Sequence, residues 1–154
     1  MTRFKEILEI ETGKGIAFID LTDPIERALD RSGIEEGFLF LKSPHTTTAL
    51  IVNENEPRLL SDLEVFLKRL VPPTGRYRHN DIHLRNCPPD EPENAHAHLC
   101  AILLGSSLSL PVEAGRPLLG KWQSIFLVEL DGPRTRKLHL SLWGFGRAVW
   151  KRSI

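Results

Sequence analysis

The sequence has few cysteines, no excess charge of either sign and no long apolar run. Its two cysteines, Cys87 and Cys100, match no zinc-knuckle spacing. The first fifteen residues predict no signal peptide, so the two thiols indicate a reducing, cytoplasmic compartment. Lys and Arg number 20, as do Asp and Glu, so the chain lacks the basic excess of a general nucleic-acid binder. No stretch approaches the roughly 18 apolar residues of a membrane-spanning helix.

Several motifs that would assign a chemistry are also missing. GxxxxGK[ST], GxGxxG and GxSxG do not occur, so triphosphate-binding, dinucleotide-binding and serine-hydrolase functions have no support. HExxH and CxxC are missing too, so no recognisable spacing of ligands in the sequence indicates a metal site. The function must therefore be sought in polar residues that the fold brings together.

The chain has the length and composition of one globular domain. Its 154 residues are 41% apolar and 26% charged, which predicts a single domain over residues 1–154. Apolar or alternating runs predict strands at 4–10, 16–19, 37–41, 46–52, 108–112, 117–119, 122–130 and 136–143. The first two runs flank glycines, a pattern that predicts a β-hairpin. So many apolar strands cannot share one sheet face, and we expect an α+β fold with two packed, mainly antiparallel sheets and about three helices.

Two of the expected helices have clear boundary signals. The first begins at Thr22 or Asp23, either of which can act as an N-cap, and ends before Gly33. The second begins at Pro57, repeats apolar residues along one face and ends before Pro72.

The third expected helix follows a long polar stretch. Asn94 is its predicted N-cap and Gly105 its stop. The predicted buried stripe contains Ala95, His98, Leu99, Ile102 and Leu103. A strand is the alternative for this segment. It would direct His96 and His98 to the same face, whereas a helix separates them.

The polar stretch from Tyr77 to Gly105 holds most of the histidines. His79, Asp81, His96 and His98 lie in it, and His45 lies upstream before three threonines. Long polar loops in compact domains are often functional. A histidine with an ordinary pKa near ~6.5 serves as either acid or base at neutral pH. The alternatives are a capping histidine at 45, solvated loop residues around 79–81 and a buried core histidine at 98, while His83 is assigned to the solvated surface.

Two ligand chemistries fit these residues. A set of His and Asp suits a divalent metal such as zinc. A helix N-terminus at Asn94 and the fork of Arg134 suit a phosphate or carboxylate instead. Arg134 has a plainer alternative as a surface arginine paired with a neighbouring acid.

Taken together, eight stretches resemble one known family, and they occur in the family's order over nearly the whole chain. They are His45-Thr46-Thr47, Asn53-Glu54-Asn55-Glu56-Pro57, Tyr77-Arg78-His79-Asn80-Asp81, Asn94-Ala95-His96-Ala97-His98-Leu99, Leu104-Gly105, Pro111-Val112-Glu113, Gly120-Lys121-Trp122-Gln123 and Asp131-Gly132-Pro133-Arg134. The sequence thus resembles the YjbQ family, also called the secondary thiamine-phosphate synthase family. Lys121 and the long insert 82–93 depart from the family's pattern.

The resemblance implies an assembly and an activity. It implies a two-sheet homotrimer with pockets near subunit boundaries, and the tryptophans Trp122, Trp143 and Trp150 offer apolar surface for such contacts. It also implies weak thiamine-phosphate synthase activity, which joins a pyrimidine diphosphate to a thiazole phosphate, beside an unsettled main reaction. We expect the true substrate to be a small anionic metabolite. The alternatives are a metal-assisted hydrolase and a non-catalytic trimeric protein that binds a ligand or a metal.

The resemblance also assigns site residues. His45, Asp81, His96 and His98 are carried over as the catalytic set, and the same four are the candidate ligands of a zinc or magnesium ion. Ligand binding is expected from Arg134, Asn94 and His79.

Overall fold

A computed structural model describes residues 1–146 of the chain. The strands are β1 Thr2–Glu11, β2 Gly15–Asp20, β3 Glu36–Lys42, β4 Thr48–Glu54, β5 Ser107–Glu113, β6 Arg116–Pro117, β7 Gln123–Gly132 and β8 Thr135–Phe145. The helices are α1 Thr22–Ser32, α2 Pro57–Leu70 and α3 Ala95–Leu104. Two short 3-10 turns, Arg78–Asn80 and Ile82–Leu84, lie in the polar stretch before α3.

The strands form two antiparallel sheets. One has five strands in the order β1-β8-β3-β5-β6, and the other has three in the order β2-β7-β4. With three helices packed on these sheets, the α+β prediction is confirmed. No helix within residues 1–146 is both long enough and apolar enough to cross a membrane.

The predicted hairpin between the first two strands is wrong. β1 pairs with β8 over ten residues, from Thr2 opposite Gly144 to Glu11 opposite Thr135, whereas β2 pairs with β7 in the other sheet. The link between them is anchored at Thr12, whose backbone N–H donates to the carbonyl of Arg134. Long-range pairing at full register therefore replaces the local turn that the glycines suggested.

The main core lies between the two sheets and is closed by α1. Leu39 and Leu140 of the large sheet meet Leu50 and Leu127 of the small sheet, and Ile25 of α1 joins them. A second cluster lies on the outer face of the small sheet, under α2 and α3. Because both faces of the small sheet are covered, β7 is buried without interruption from residue 125 to 130.

Helix α3 begins and ends as predicted, but a different face is buried. Its small residues Ala97, Cys100 and Ala101 pack on the small sheet. The larger Ile102 and Leu103 are 79% and 60% exposed, against the predicted apolar stripe. Small side chains allow the helix to approach the sheet closely, so the bulky residues turn outward.

The N-cap of α1 differs from the prediction, whereas the N-cap of α3 is Asn94 as predicted but makes no side-chain capping bond. Leu21 rather than Thr22 or Asp23 precedes α1, with Asp20 accepting from the Thr22 backbone N–H at 2.8 Å. Asn94 precedes α3, but its side chain does not cap the helix. The side chain of Asn80 takes that role and accepts from the Ala95 backbone N–H at 3.1 Å. The polar stretch is thereby fastened to the helix it leads into.

Candidate active site at the sheet and helix ends

His45 lies in the connection between β3 and β4, which is held by hydroxyl groups. The buried Ser43 hydroxyl and the Thr48 hydroxyl are hydrogen-bonded at 2.5 Å. The Ser43 oxygen also accepts from the backbone N–H of His45 at 3.3 Å. These bonds fix the backbone on both sides of the histidine, so its side chain has a defined direction.

The imidazole of His45 is neutral and has a defined tautomer. Its Nε2 accepts a hydrogen bond from the backbone N–H of Lys137 at 3.0 Å, which requires a free lone pair on that nitrogen. Burial and the nearby Arg136 guanidinium lower the pKa of His45. The proton of the neutral ring therefore lies on Nδ1.

A buried ion pair beneath His45 joins the two sheets. Arg136 of β8 donates from Nε and Nη2 to the two carboxylate oxygens of Glu129 on β7, both at 2.6 Å. Arg136 Nη2 also donates to the hydroxyl of Thr47 at 3.0 Å, and Thr12 donates to Glu129 at 2.9 Å. Burial acts to raise the pKa of Glu129, but these bonds outweigh it and leave the pKa below its usual range.

Asp131 gathers polar groups at the start of α3. One of its carboxylate oxygens accepts from Nδ2 of Asn94 and from Nη2 of Arg134, each at 2.8 Å. Asn94 is buried, so its amide holds Asp131 in place rather than facing a ligand. Arg134 is exposed on its outer side, consistent with both the ligand-binding and the surface-pair interpretations of that residue.

Three histidines surround the same end of α3. The rings of His79 and His98 meet edge to face with centroids 4.8 Å apart. Burial and the neighbouring His79 lower the pKa of His98, and burial likewise lowers the pKa of His96 against the opposing charge of Asp131. The Nδ1 atom of His96 is buried and has no hydrogen-bond partner among residues 1–146. The rings of His96 and His98 are therefore favoured in the neutral form that accepts a proton.

A cleft of about 490 Å³ brings His45 and His98 together. The cleft is lined by Lys42, Ser43, Pro44, His45, Thr46, His98, Ala101, Ile102, Gly105 and Ser106. A second cleft of about 360 Å³ adjoins it at His98 and is lined by His79, Arg78, Tyr77, Ala95 and Leu99. His98 thus lies where the two clefts meet.

The remaining predicted site residues stand apart from these clefts. Asp81 lies at the junction of the two 3-10 turns and lines neither cleft. His96 lines neither, and its Nδ1 is buried in the protein. Asn94 and Arg134 both donate to Asp131, which lines neither cleft. The pair formed by His45 and His98 is the part of the predicted catalytic set that shares one cavity.

The predicted metal ligands do not form a metal site within one chain. Among the residues that the structure describes, no three His, Cys, Asp or Glu side chains are placed to hold an ion together. His45 and His98 share a cleft, but Asp81 does not line it. The zinc or magnesium site therefore stays a prediction, and the chemistry proposed below routes no step through a resident metal.

Sequence reasoning missed two residues of the main cleft. Nζ of Lys42 lies 2.5 Å from Oγ of Ser106, and both line the cavity. Lys42 is the last residue of an apolar strand, and Ser106 follows the glycine that ends α3. Only the pairing of β3 with β5, which places Lys42 opposite Ser107, brings them together, and no local pattern in the sequence predicts that register.

Comparison with known proteins shows the family. The family described as UPF0047 protein YjbQ-like matches residues 6–145. The chain belongs to the YjbQ/UPF0047 family. A UPF0047 protein of Methanothermobacter thermautotrophicus is 42% identical over 144 residues, which is 94% of each chain. The UPF0047 protein YugU of Bacillus subtilis is 34% identical over 139 residues, 89% of this chain and 97% of YugU.

Solved structures of similar proteins share the fold. A YbjQ-like protein of unknown function from Sulfolobus solfataricus P2 is 33% identical, with a TM-score of 0.83 over 93% of this chain and 98% of its own. A hypothetical protein from Aeropyrum pernix K1 is 37% identical, with a TM-score of 0.83 over 92% of this chain and 99% of its own. The resemblance found in the sequence is therefore confirmed at the level of family and fold.

Proposed function

We propose that this YjbQ-family protein is an enzyme acting on a small anionic metabolite, with weak thiamine-phosphate synthase activity in the cleft between His45 and His98. The observation that carries the proposal is the placement of these two histidines on one cavity, each with a lowered pKa. A neutral imidazole at physiological pH offers one N–H donor and one lone pair, which suits proton transfer and ligand orientation.

The proposed synthase step forms one bond and breaks another. The ring nitrogen of the thiazole phosphate attacks the methylene carbon of the pyrimidine diphosphate, the bond from that carbon to the diphosphate oxygen breaks, and pyrophosphate leaves with the electron pair. The leaving group needs its growing negative charge stabilised. Because Nε2 of His45 is occupied by the Lys137 N–H, Nδ1–H of His45 is the group that donates to a ligand oxygen. Magnesium enters this step as part of the diphosphate substrate.

The other predicted residues take supporting roles in this proposal. His79 touches His98 and lines the neighbouring cleft, so it orients the His98 ring and contacts the second substrate. Asn94 and Arg134 hold Asp131, whose charge opposes the lowering of the His98 pKa. His96 and Asp81 remain assigned to the catalytic set on family resemblance, outside the two clefts.

A homotrimer in the cytoplasm is part of the same proposal. Phe38 and Trp143 lie opposite each other on the outer face of the large sheet and are 62% and 50% exposed. Ile102 adds apolar surface at the rim of the main cleft, and Trp122 is also exposed. Exposed apolar patches of this kind mark protein contacts, which supports an assembly of subunits, and Ile102 is the one of these residues that lines either of the two clefts. Trp150, the third tryptophan expected in such contacts, lies outside the described residues. Cys87 and Cys100 are free thiols, in keeping with the proposed cytoplasmic location.

The test is a synthase assay with a pyrimidine diphosphate, a thiazole phosphate and magnesium. We expect His98→Ala and His45→Ala to lower kcat/KM by about 100-fold or more. The matched control is His83→Ala, since His83 is an exposed histidine outside both clefts and its removal leaves the rate unchanged. Equal rates in all four proteins contradict the proposal. Binding of the thiazole phosphate without turnover identifies a non-catalytic binding protein instead.

A further inference from the structure

Lys42 stands out in the main cleft as a cation held in place by a hydroxyl. Its ammonium nitrogen is 2.5 Å from the Ser106 hydroxyl oxygen, and the residue is half-buried at the end of β3. Ser106 is itself fixed, because its carbonyl accepts from the backbone N–H of Ser43 at 2.9 Å. The preceding Gly105, with φ 93° and ψ 157°, makes the turn that brings Ser106 back toward β3.

The positive charge of Lys42 is not balanced inside the cleft. None of the ten residues that line the cavity is Asp or Glu. Within residues 1–146, no ion pair includes Lys42, although six other pairs are formed there. A half-buried cation without a nearby carboxylate attracts an anion more strongly than an exposed one, because solvent screens it less.

We propose that Lys42 and Ser106 form an anion subsite that binds the phosphoryl group of a small phosphorylated ligand. The inference deepens the proposed function by naming the residues that hold the phosphoryl group of its substrate, and so rests on it. Lysine binds phosphate as a compact charge with three donors, and the Ser106 hydroxyl supplies another. The Ser43 hydroxyl is already hydrogen-bonded to the Thr48 hydroxyl and is not assigned to the subsite.

The other residues of the cleft indicate the chemistry of the ligand away from its phosphoryl group. Pro44, Ala101 and Ile102 form an apolar wall in the same cavity. His45 and His98 line the same cavity, so both are within the site that a ligand anchored at Lys42 would occupy. A phosphorylated metabolite with a small, partly apolar body fits this arrangement.

Binding of inorganic phosphate tests the subsite without any turnover. Titration calorimetry of the full chain is expected to show binding below about 20 mM phosphate, weakened about tenfold or more in Lys42→Met and about threefold or less in Lys42→Arg. Lys121→Met is the control, because Lys121 lies over the Trp122 ring away from the cleft lining and should leave the affinity unchanged. Ser106→Asp, which places a carboxylate against Lys42, provides a second test should Lys42→Met fold poorly.

Each outcome separates the subsite from the proposed reaction. No binding of phosphate to the wild type, equal affinity in Lys42→Met, or equal affinity in Ser106→Asp overturns the subsite. Acetate binding tighter than phosphate overturns the assignment to a phosphoryl group. Loss of phosphate affinity in Lys42→Met, together with no turnover of any phosphorylated substrate, supports the subsite and removes the proposed enzyme.

Discussion

The backbone N–H of Lys137 donates to Nε2 of His45 across 3.0 Å and so couples β8 to the loop that carries the histidine. The bond exists only while His45 is neutral, because a protonated ring has no lone pair on that nitrogen. The protonation state of one cleft residue is therefore linked to the contact between a loop and the large sheet.

This contact predicts a pH-dependent stability. Burial lowers the pKa of His45, so the unfolded chain binds a proton more readily than the folded one. The neutral His45 ring therefore contributes its full stabilisation above the pKa of histidine in the unfolded chain, near ~6.5. That contribution is lost as the pH falls through the pKa of His45 in the folded chain. We expect the urea concentration at the unfolding midpoint to decrease as the pH is lowered from about 7.5 to about 5. The decrease should be smaller in His45→Gln, because glutamine keeps a hydrogen-bond acceptor but does not titrate.

Nuclear magnetic resonance checks the same claim at one atom. The ring-proton shifts of His45 should titrate with a midpoint below the ordinary histidine value near ~6.5. A midpoint above that value, or an identical pH dependence of unfolding in wild type and His45→Gln, contradicts the predicted state of the ring.

Removing Arg136 should destabilise the fold strongly. Arg136→Met leaves the carboxylate of Glu129 fully buried without its cation, and we expect a loss of about 3–5 kcal/mol in the free energy of unfolding. The double variant Arg136→Met with Glu129→Leu removes both charges and should recover much of that loss. Urea denaturation measures the free energy of unfolding of the single and the double variant. A loss below about 1 kcal/mol in Arg136→Met would show that the ion pair with Glu129 does not stabilise the contact between the two sheets.

Gly105 should not tolerate a side chain. Its φ of 93° with ψ of 157° lies in a region that only glycine adopts readily, although no atom lies within 4 Å of the position that a Cβ would take. Gly105→Ala is expected to cost about 1–3 kcal/mol in unfolding free energy. Gly13→Ala is the control, because Gly13 has open space and no positive φ and should change stability by less than about 1 kcal/mol. Similar losses in the two variants would contradict the role of the turn.

The exposed face of the large sheet predicts the assembly. Sedimentation of the wild type should give a trimer, and Trp143→Lys or Phe38→Lys should give folded monomers, because each places a charge in the proposed subunit contact. Val65→Lys on α2 is the control, since Val65 is 44% exposed on a different element. A wild type that sediments as a monomer, or trimers that persist in both sheet variants, would exclude this face.

Local signals in the sequence were sufficient for the helices and most strands. Pro57 begins α2 as predicted, and Gly105 ends α3. The hairpin prediction was wrong because glycines indicate a turn but not which sheet each flanking strand joins. The prediction of the buried face of α3 was wrong because apolar periodicity does not show whether a face packs on the sheet or stays exposed. Ile102 belongs to the predicted stripe but is exposed.

The candidate site was only partly accessible to the same reasoning. The sequence selected His45 and His98, which do share a cleft. It missed the pair of Lys42 and Ser106, because 64 residues separate them and only strand register brings them together. It carried Asp81 into the catalytic set by family resemblance, and the 3-10 turns place that residue outside both clefts.

A double-mutant cycle in the synthase assay tests the central claim most directly, namely that His45 and His98 act as one unit in one cleft. The rates to compare are those of the wild type, His45→Ala, His98→Ala and the double variant. Groups that act together are non-additive, so we predict that the double variant loses about as much kcat as the more damaging single variant. Losses that multiply, or single variants with wild-type rates, would contradict the account.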